Sequence, residues 1–140
     1  MFIANKKFIL INLAILILSQ SAYSNFEWFK NLPFVDKPMH FLGGVLAVSL
    51  LLYFFEKRPD LFSLPENKSV SLIIIVSFAA LIGLLWEFYE YSVEYYFFRL
   101  SGVTVLDMAL GDTLGDLFFD LLGGFAAGIF RRAGYEPNQI

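Results

Sequence analysis

Three aspartates at intervals of four residues are the most unusual feature of this sequence. Asp112, Asp116 and Asp120 lie in a segment whose other residues are mainly Leu, Phe and Gly, and on a helix this spacing places them on one face. The segment is apolar enough to cross a membrane, where a carboxylate costs about 2.5–3.5 kcal/mol on insertion scales. Asp112 stands where the helix would begin and is expected to cap it. Asp120 is too deep for a cap, so we expect it to belong to a functional or buried polar network.

Imidazole and carboxylate groups on two other apolar segments are the expected partners of these aspartates. His40, the only histidine, opens one segment, and Glu87 and Glu90 end another with a spacing that places both on one helical face. One imidazole with several carboxylates suits a divalent cation such as Mg, Mn, Fe or Zn. Alternatively, the carboxylates share protons. The expected metal ligands are His40, Glu87, Asp116 and Asp120, and the candidate catalytic acids and bases are Glu87, Glu90 and Asp120.

The sequence offers no obvious basic residue inside the spans to balance these acids. The alternative to a metal is Arg99, in the connection after the third span, whose approach from the loop would weaken the case for a metal. Lys37 is assigned to a helix start on the outer side, together with Pro38 in the first turn. Asp36 is assigned there as a cap and not as a ligand.

The composition is that of a membrane protein. Of the 140 residues, 58% are hydrophobic and 16% are charged, whereas a soluble domain has about half and about a quarter. Spans are predicted at about 39–55, 70–90 and 113–130. Residues 1–24, with two lysines before a short apolar run, form either a first transmembrane helix or a cleaved signal peptide. We therefore predict an all-α, polytopic transmembrane bundle of about four spans (three if residues 1–24 are cleaved), with residues 25–140 as one membrane-embedded domain.

The basic residues indicate the orientation of these spans. Seven of the ten Lys and Arg residues fall on one side and three on the other, so the positive-inside rule places the seven in the cytoplasm. The candidate site residues then lie at the outer ends of the spans. The seven are Lys6, Lys7, Lys57, Arg58, Lys68, Arg131 and Arg132, and the three are Lys30, Lys37 and Arg99.

Composition also excludes some functions. The chain has no cysteine, which rules out disulfides and thiol catalysis. Its net charge of −3 is small and unclustered, which argues against nucleic acid as a partner. The glycines, among them the small-xxx-small pair Gly124 and Gly128, are residues that let helices approach closely. They indicate helix packing, either within the chain or in an oligomer formed through these faces.

Short motifs on three of the predicted helices resemble those of known membrane-protein families. Asp36-Lys37-Pro38-Met39-His40-Phe41 resembles the D-K-x-x-H-F segment of VanZ-like proteins. Glu87-Phe88-Tyr89-Glu90 and Asp112-Thr113-Leu114-Gly115-Asp116, with Asp120 and Gly123-Gly124, resemble the E-x-x-E and D-T-x-G-D-x-x-x-D motifs of the related YjdF-type family. The resemblance, which covers about 33–130, implies a small helical bundle in a bacterial inner membrane, and little biochemistry. Combined with the orientation above, it places the site on the periplasmic side.

Three functions are compatible with this pattern. The leading hypothesis is a cation-dependent site that binds or processes a lipid or cell-envelope head group, with membrane lipid as the partner. The second is a proton- or ion-coupled small transporter, which requires a polar path to the cytoplasm through the apolar inner halves of the spans. The third is a non-catalytic assembly or scaffold protein, in which the polar residues only hold helices together.

Overall fold

The structure, a computed structural model, is a bundle of α-helices. It describes residues 3–30, 32, 34–101 and 110–133, and in these ranges it contains no β-strand. This confirms the all-α fold class. The helices are α1 (Lys6–Asn25), the short α2 (Glu27–Lys30), α3 (Asp36–Lys57), α4 (Lys68–Ser101) and α5 (Leu110–Ala133).

Four of these helices are long and apolar enough to cross a membrane, which confirms the predicted bundle of about four spans. Their outward faces carry large apolar side chains, such as Leu18, 70% exposed, and Ile73, 65% exposed. Soluble proteins rarely expose contiguous apolar surface on this scale, whereas lipid tails solvate it. The candidate spans are Lys6–Asn25, Asp36–Lys57, Lys68–Val93 and Leu110–Arg131.

Helices α3 and α5 extend two or three residues beyond each end of their predicted spans, and α4 extends much further at its C-terminal end. Helix α3 begins at Asp36, three residues before the predicted span. Helix α4 has 34 residues, which corresponds to about 51 Å at 1.5 Å per residue. That length exceeds the roughly 30 Å of a bilayer core. We call the end of the bundle at which α3 begins, α4 ends and α5 begins the polar end.

Glycines allow α5 to pack closely against both α3 and α4. A Cβ on Gly44 of α3 would overlap the main-chain carbonyl of Asp120, and one on Gly123 would overlap the carbonyl of Phe41. Helices α3 and α5 therefore meet backbone to backbone, the contact that small residues permit. The described glycine faces are thus used inside the chain, and an oligomer formed through them stays a prediction.

The core away from the polar end is apolar. Val48, Leu52, Ile75 and Ala127 are buried together there, and the hydroxyl of Ser49 donates to the Val45 carbonyl at 2.7 Å. This core fixes the relative positions of α3, α4 and α5.

Helix α1 lies outside the three-helix core and packs against α3. The buried side chain of Asn12 donates through Nδ2 to the Leu42 carbonyl at 3.3 Å. A polar contact of this kind attaches α1 to the rest of the bundle.

Candidate functional site

The structure brings the five predicted site residues together between α3, α4 and α5, at the polar end. His40 Nε2 lies 3.5 Å from Asp116 Oδ1 and 3.9 Å from Glu87 Oε1. The partly buried Glu90 belongs to the same group, because ligand atoms of His40, Glu87 and Glu90 all lie within 4.8 Å of one another. We call His40, Glu87, Glu90, Asp116 and Asp120 the inner cluster; all but Glu90 are buried.

His40 is oriented by Asp120. In the tautomer that carries the proton on Nδ1, this nitrogen donates to Asp120 Oδ2 at 3.2 Å. The lone pair of Nε2 then faces Glu87 and Asp116. Proteins hold a metal-binding histidine in the same way, through a carboxylate on its other nitrogen.

Two glycines make the room that the Asp120 carboxylate occupies. A Cβ on Gly43 of α3 would lie 3.4 Å from Asp120 Oδ1, and a Cβ on Gly83 of α4 would overlap the carboxylate itself. The Gly83 position in particular leaves the space that the Asp120 carboxylate fills, because any side chain there would overlap it.

Glu87 carries an unsatisfied oxygen. Its Oε1 is buried and, among the described residues, receives no hydrogen bond. A buried polar atom without a partner costs roughly 1–3 kcal/mol, and more when it is charged. A proton or a cation beside Oε1 would remove this cost.

A second group of acids lies closer to the polar end than most of the inner cluster, and Lys37 contacts all of them. Its ammonium donates to Asp112 Oδ1 at 2.6 Å and Asp116 Oδ1 at 2.7 Å, and to Asp36 Oδ2 at 3.3 Å. We call Asp36, Lys37, Asp112 and Asp116 the outer cluster. Asp116 belongs to both clusters and joins them.

Lys37 corrects the expectation that the spans offer no cation to these acids. The sequence carried the signal, because Lys37 precedes His40 by three residues and so shares its helical face. The side chain of Arg99, the alternative cation, lies outside the described part of the structure.

The expected capping role of Asp112 also needs correction. Helix α5 is described from Leu110, so Asp112 already lies inside its first turn. Its carboxylate accepts from Lys37. Asp36, expected to be a cap, likewise pairs with Lys37, although its Oδ1 also accepts from the Lys37 main-chain N–H at 3.0 Å.

The two clusters together carry more negative than positive charge. Together they contain six carboxylates. Among the described side chains, the cations in contact with these carboxylates are Lys37 and, when it is protonated, His40. Even a protonated His40 leaves most of these carboxylates unbalanced. Such an imbalance is costly for the buried acids, and protons or a further cation would reduce that cost.

A groove of about 670 Å³ lies beside the outer cluster. Phe34, Pro38 and Phe119 form its apolar walls, and Lys37 and Asp112 line it as well. The Asp112 side chain is 64% exposed. The groove therefore combines an apolar surface with a charged group that solvent can reach.

The helical bundle and its buried acids define a polytopic membrane protein with a polar cluster at one end. The chain belongs to a family described as "Predicted membrane protein (DUF2238)", whose model matches residues 5–134. The match covers all five helices, and it establishes a membrane-protein family but does not support the VanZ-like or YjdF names. No curated protein and no solved structure matched the chain.

Proposed function

We propose that the inner cluster is a divalent-cation site and that, with the cation bound, the protein binds or processes the head group of a lipid or cell-envelope molecule. The buried Oε1 of Glu87, which receives no hydrogen bond from the described residues and lies 3.9 Å from His40 Nε2, carries this proposal. A cation held between these two atoms would balance charge and satisfy Oε1 at the same time.

The distances from His40 Nε2 to Glu87 and to Asp116 fit ligands of one shared ion. Ligand atoms that lie about 2.0–2.2 Å from a common metal are about 3–4 Å from one another. The separations of His40 Nε2 from Asp116 Oδ1 and Glu87 Oε1, 3.5 and 3.9 Å, are in this range. One imidazole with carboxylates favours Mn, Fe or Zn over Ca. Asp120, whose Oδ2 contacts His40 Nδ1, then acts as the positioning residue behind the ligand.

The position of the site supports a head group as the ligand. The outer cluster and the groove lie at the ends of the candidate spans, where we place the lipid head groups, and the groove has apolar walls beside an exposed carboxylate. A bound divalent cation would polarise a phosphoryl or carbonyl oxygen as a Lewis acid. Glu90, partly buried at the edge of the inner cluster, is the residue placed to accept or donate a proton there.

The apolar core makes the transporter hypothesis the weaker alternative. Beyond Asp120 the described buried side chains are mainly apolar, and the hydroxyls of Ser49 and Ser71 are bonded to main-chain carbonyls of Val45 and Pro65. These residues offer an ion no continuous polar path. The scaffold hypothesis predicts a cluster that binds no ion.

From the charge distribution and the motif resemblance we also propose where the protein is located and which families it is related to. We place the polar end on the periplasmic side of a bacterial inner membrane, because the basic residues concentrate at the opposite end. The D-K-x-x-H-F and D-T-x-G-D-x-x-x-D motifs support a relationship to VanZ-like and YjdF-type proteins.

Metal analysis of the detergent-purified protein tests the cation site. The wild type should retain Mn, Fe or Zn, and addition of the metal at 100 times its Kd should stabilise the fold by about 2.7 kcal/mol. Glu87→Gln should lose both the metal and the stabilisation, because the amide is a weaker ligand and carries no charge.

Glu66→Gln is the matched control, since Glu66 is exposed in the connection between α3 and α4, at the other end of the bundle. It should behave as wild type. A wild-type protein that binds no divalent ion, or a Glu87→Gln variant that binds it as tightly, would contradict the proposal and favour the scaffold hypothesis.

A further inference from the structure

The outer cluster has the donor arrangement of a second cation site, with an ammonium at its centre. One oxygen each from Asp36, Asp112 and Asp116 lies within 4.8 Å of the others. The Nζ of Lys37 contacts all three carboxylates, at 3.3, 2.6 and 2.7 Å.

We propose that the Lys37 ammonium occupies the position of a second cation, so that the protein takes one divalent ion and not two, with Asp116 as the carboxylate shared between the ion and the ammonium. This inference rests on the proposed function of the inner cluster. It assigns Lys37 the role of a fixed, built-in counter-ion that decides how many ions the site holds.

The contacts of Asp116 place the two positions next to each other. Its Oδ1 lies 2.7 Å from Lys37 Nζ and 3.5 Å from His40 Nε2. A carboxylate that bridges two cations is the usual arrangement of two-metal sites. Here the ammonium of Lys37, on α3, is one of the two cations.

Lys37 is held firmly enough to exclude a competing ion. Its side chain is 11% exposed, and each of its three N–H donors has a carboxylate acceptor. A Cβ on Gly115 of α5 would lie 3.4 Å from the Lys37 Cε and Nζ, so the ammonium already packs against the α5 backbone. A divalent ion could enter only by displacing a charge that these contacts retain.

Removal of the Lys37 charge should therefore create a second ion site. In detergent, wild type should bind one Mn²⁺ per chain and Lys37→Gln should bind two. Lys37→Arg, which keeps the charge, should still bind one. The double variant Lys37→Gln with Asp112→Asn should return to one, because it lacks both the ammonium and an outer ligand.

Electron paramagnetic resonance gives an independent readout of the ion count. A single bound Mn²⁺ gives the hyperfine-split spectrum of an isolated ion, whereas two ions that share Asp116 give a spectrum broadened by their mutual coupling. We expect the isolated spectrum for wild type and Lys37→Arg, and the coupled spectrum for Lys37→Gln.

Each outcome decides between the two proposals. Wild type that binds no Mn²⁺ overturns the proposed function and this inference with it. If wild type and Lys37→Gln each bind one ion, the inference is overturned and the proposed function stands. The same holds if wild type binds two ions. If Lys37→Gln folds only when Mn²⁺ is supplied and then binds two ions, the inference is supported. A variant that fails to fold even with Mn²⁺ contradicts it, because the second ion should replace the missing charge.

Discussion

A carboxylate beside an imidazole decides which ring nitrogen is free to bind a ligand. Asp120 lies 3.2 Å from His40 Nδ1, and the glycines at 43 and 83 leave room for it. The Nε2 atom is thereby directed at Glu87 and Asp116. In this account Asp120 acts on the cation through His40 and not by direct coordination.

Asp120→Asn should weaken metal affinity without abolishing it. Loss of the carboxylate leaves the His40 ring less firmly oriented, and changes of this kind typically cost about 10–100-fold in metal affinity. Competition with a chelator of known affinity measures the change. Asp60→Asn, an exposed position near the other end of α3, is the control and should have no effect. An unchanged affinity would contradict the positioning role, and complete loss of the metal would make Asp120 a ligand.

Sequence alone predicted which acids and which imidazole would meet, but not the cation among them. The spacing of Asp112, Asp116 and Asp120 defines one helical face, and His40 is the only histidine in the sequence. The sequence pattern assigned Lys37 to a helix start on the outer side and did not connect it with the aspartates of α5. Its ammonium reaches the aspartates through a long, flexible stem, and periodicity describes the face of a helix but not the reach of a side chain.

The close approach of α3 and α5 is the feature of the helices on which the inner cluster depends. The Gly44 and Gly123 positions bring the two backbones into contact, which places Asp120 level with His40. The sequence indicated that glycines serve helix packing, but it could not tell which helices pair. That choice depends on the rotation of each helix about its axis, which the apolar residues around the whole circumference of a membrane helix leave undetermined.

Gly44→Ala should destabilise the bundle and disturb the inner cluster. Its Cβ would overlap the Asp120 main-chain carbonyl, and the two helices would have to separate, at a cost of about 1–3 kcal/mol. Thermal unfolding in detergent measures this loss. Gly111→Ala is the matched control, since none of the described residues has an atom within 4 Å of its Cβ position, and it should change stability by less than about 0.5 kcal/mol. Equal effects of the two substitutions would contradict the packing argument.

On the scale of the whole molecule, the two ends of the bundle differ in chemistry. The polar end carries the described buried acids, and the opposite end carries most of the basic residues. Composition and hydropathy were sufficient to predict four spans and this asymmetry, because both depend only on which residues occur along each helix. The length of α4 was harder to predict, because its aromatic last turns resemble both an interfacial helix and a loop.

Cysteine labelling should place the polar end outside the cytoplasm. The chain has no cysteine, so labelling of a single introduced cysteine has no background from other thiols in the protein. Trp28→Cys, at an exposed position in α2 near the polar end, should react in intact cells with a membrane-impermeant thiol reagent. Glu66→Cys should react only after the membrane is permeabilised. The reverse pattern would invert the proposed orientation.

The claim on which the account depends is that one divalent cation binds between His40 and Glu87. Crystals of the protein grown with Mn²⁺ would locate it by anomalous scattering. We predict one anomalous peak within about 2.0–2.3 Å of His40 Nε2 and of a Glu87 oxygen. The Lys37 ammonium should still donate hydrogen bonds to Asp112 and Asp116. A metal-saturated crystal without that peak, or with peaks only at exposed acids, would contradict it.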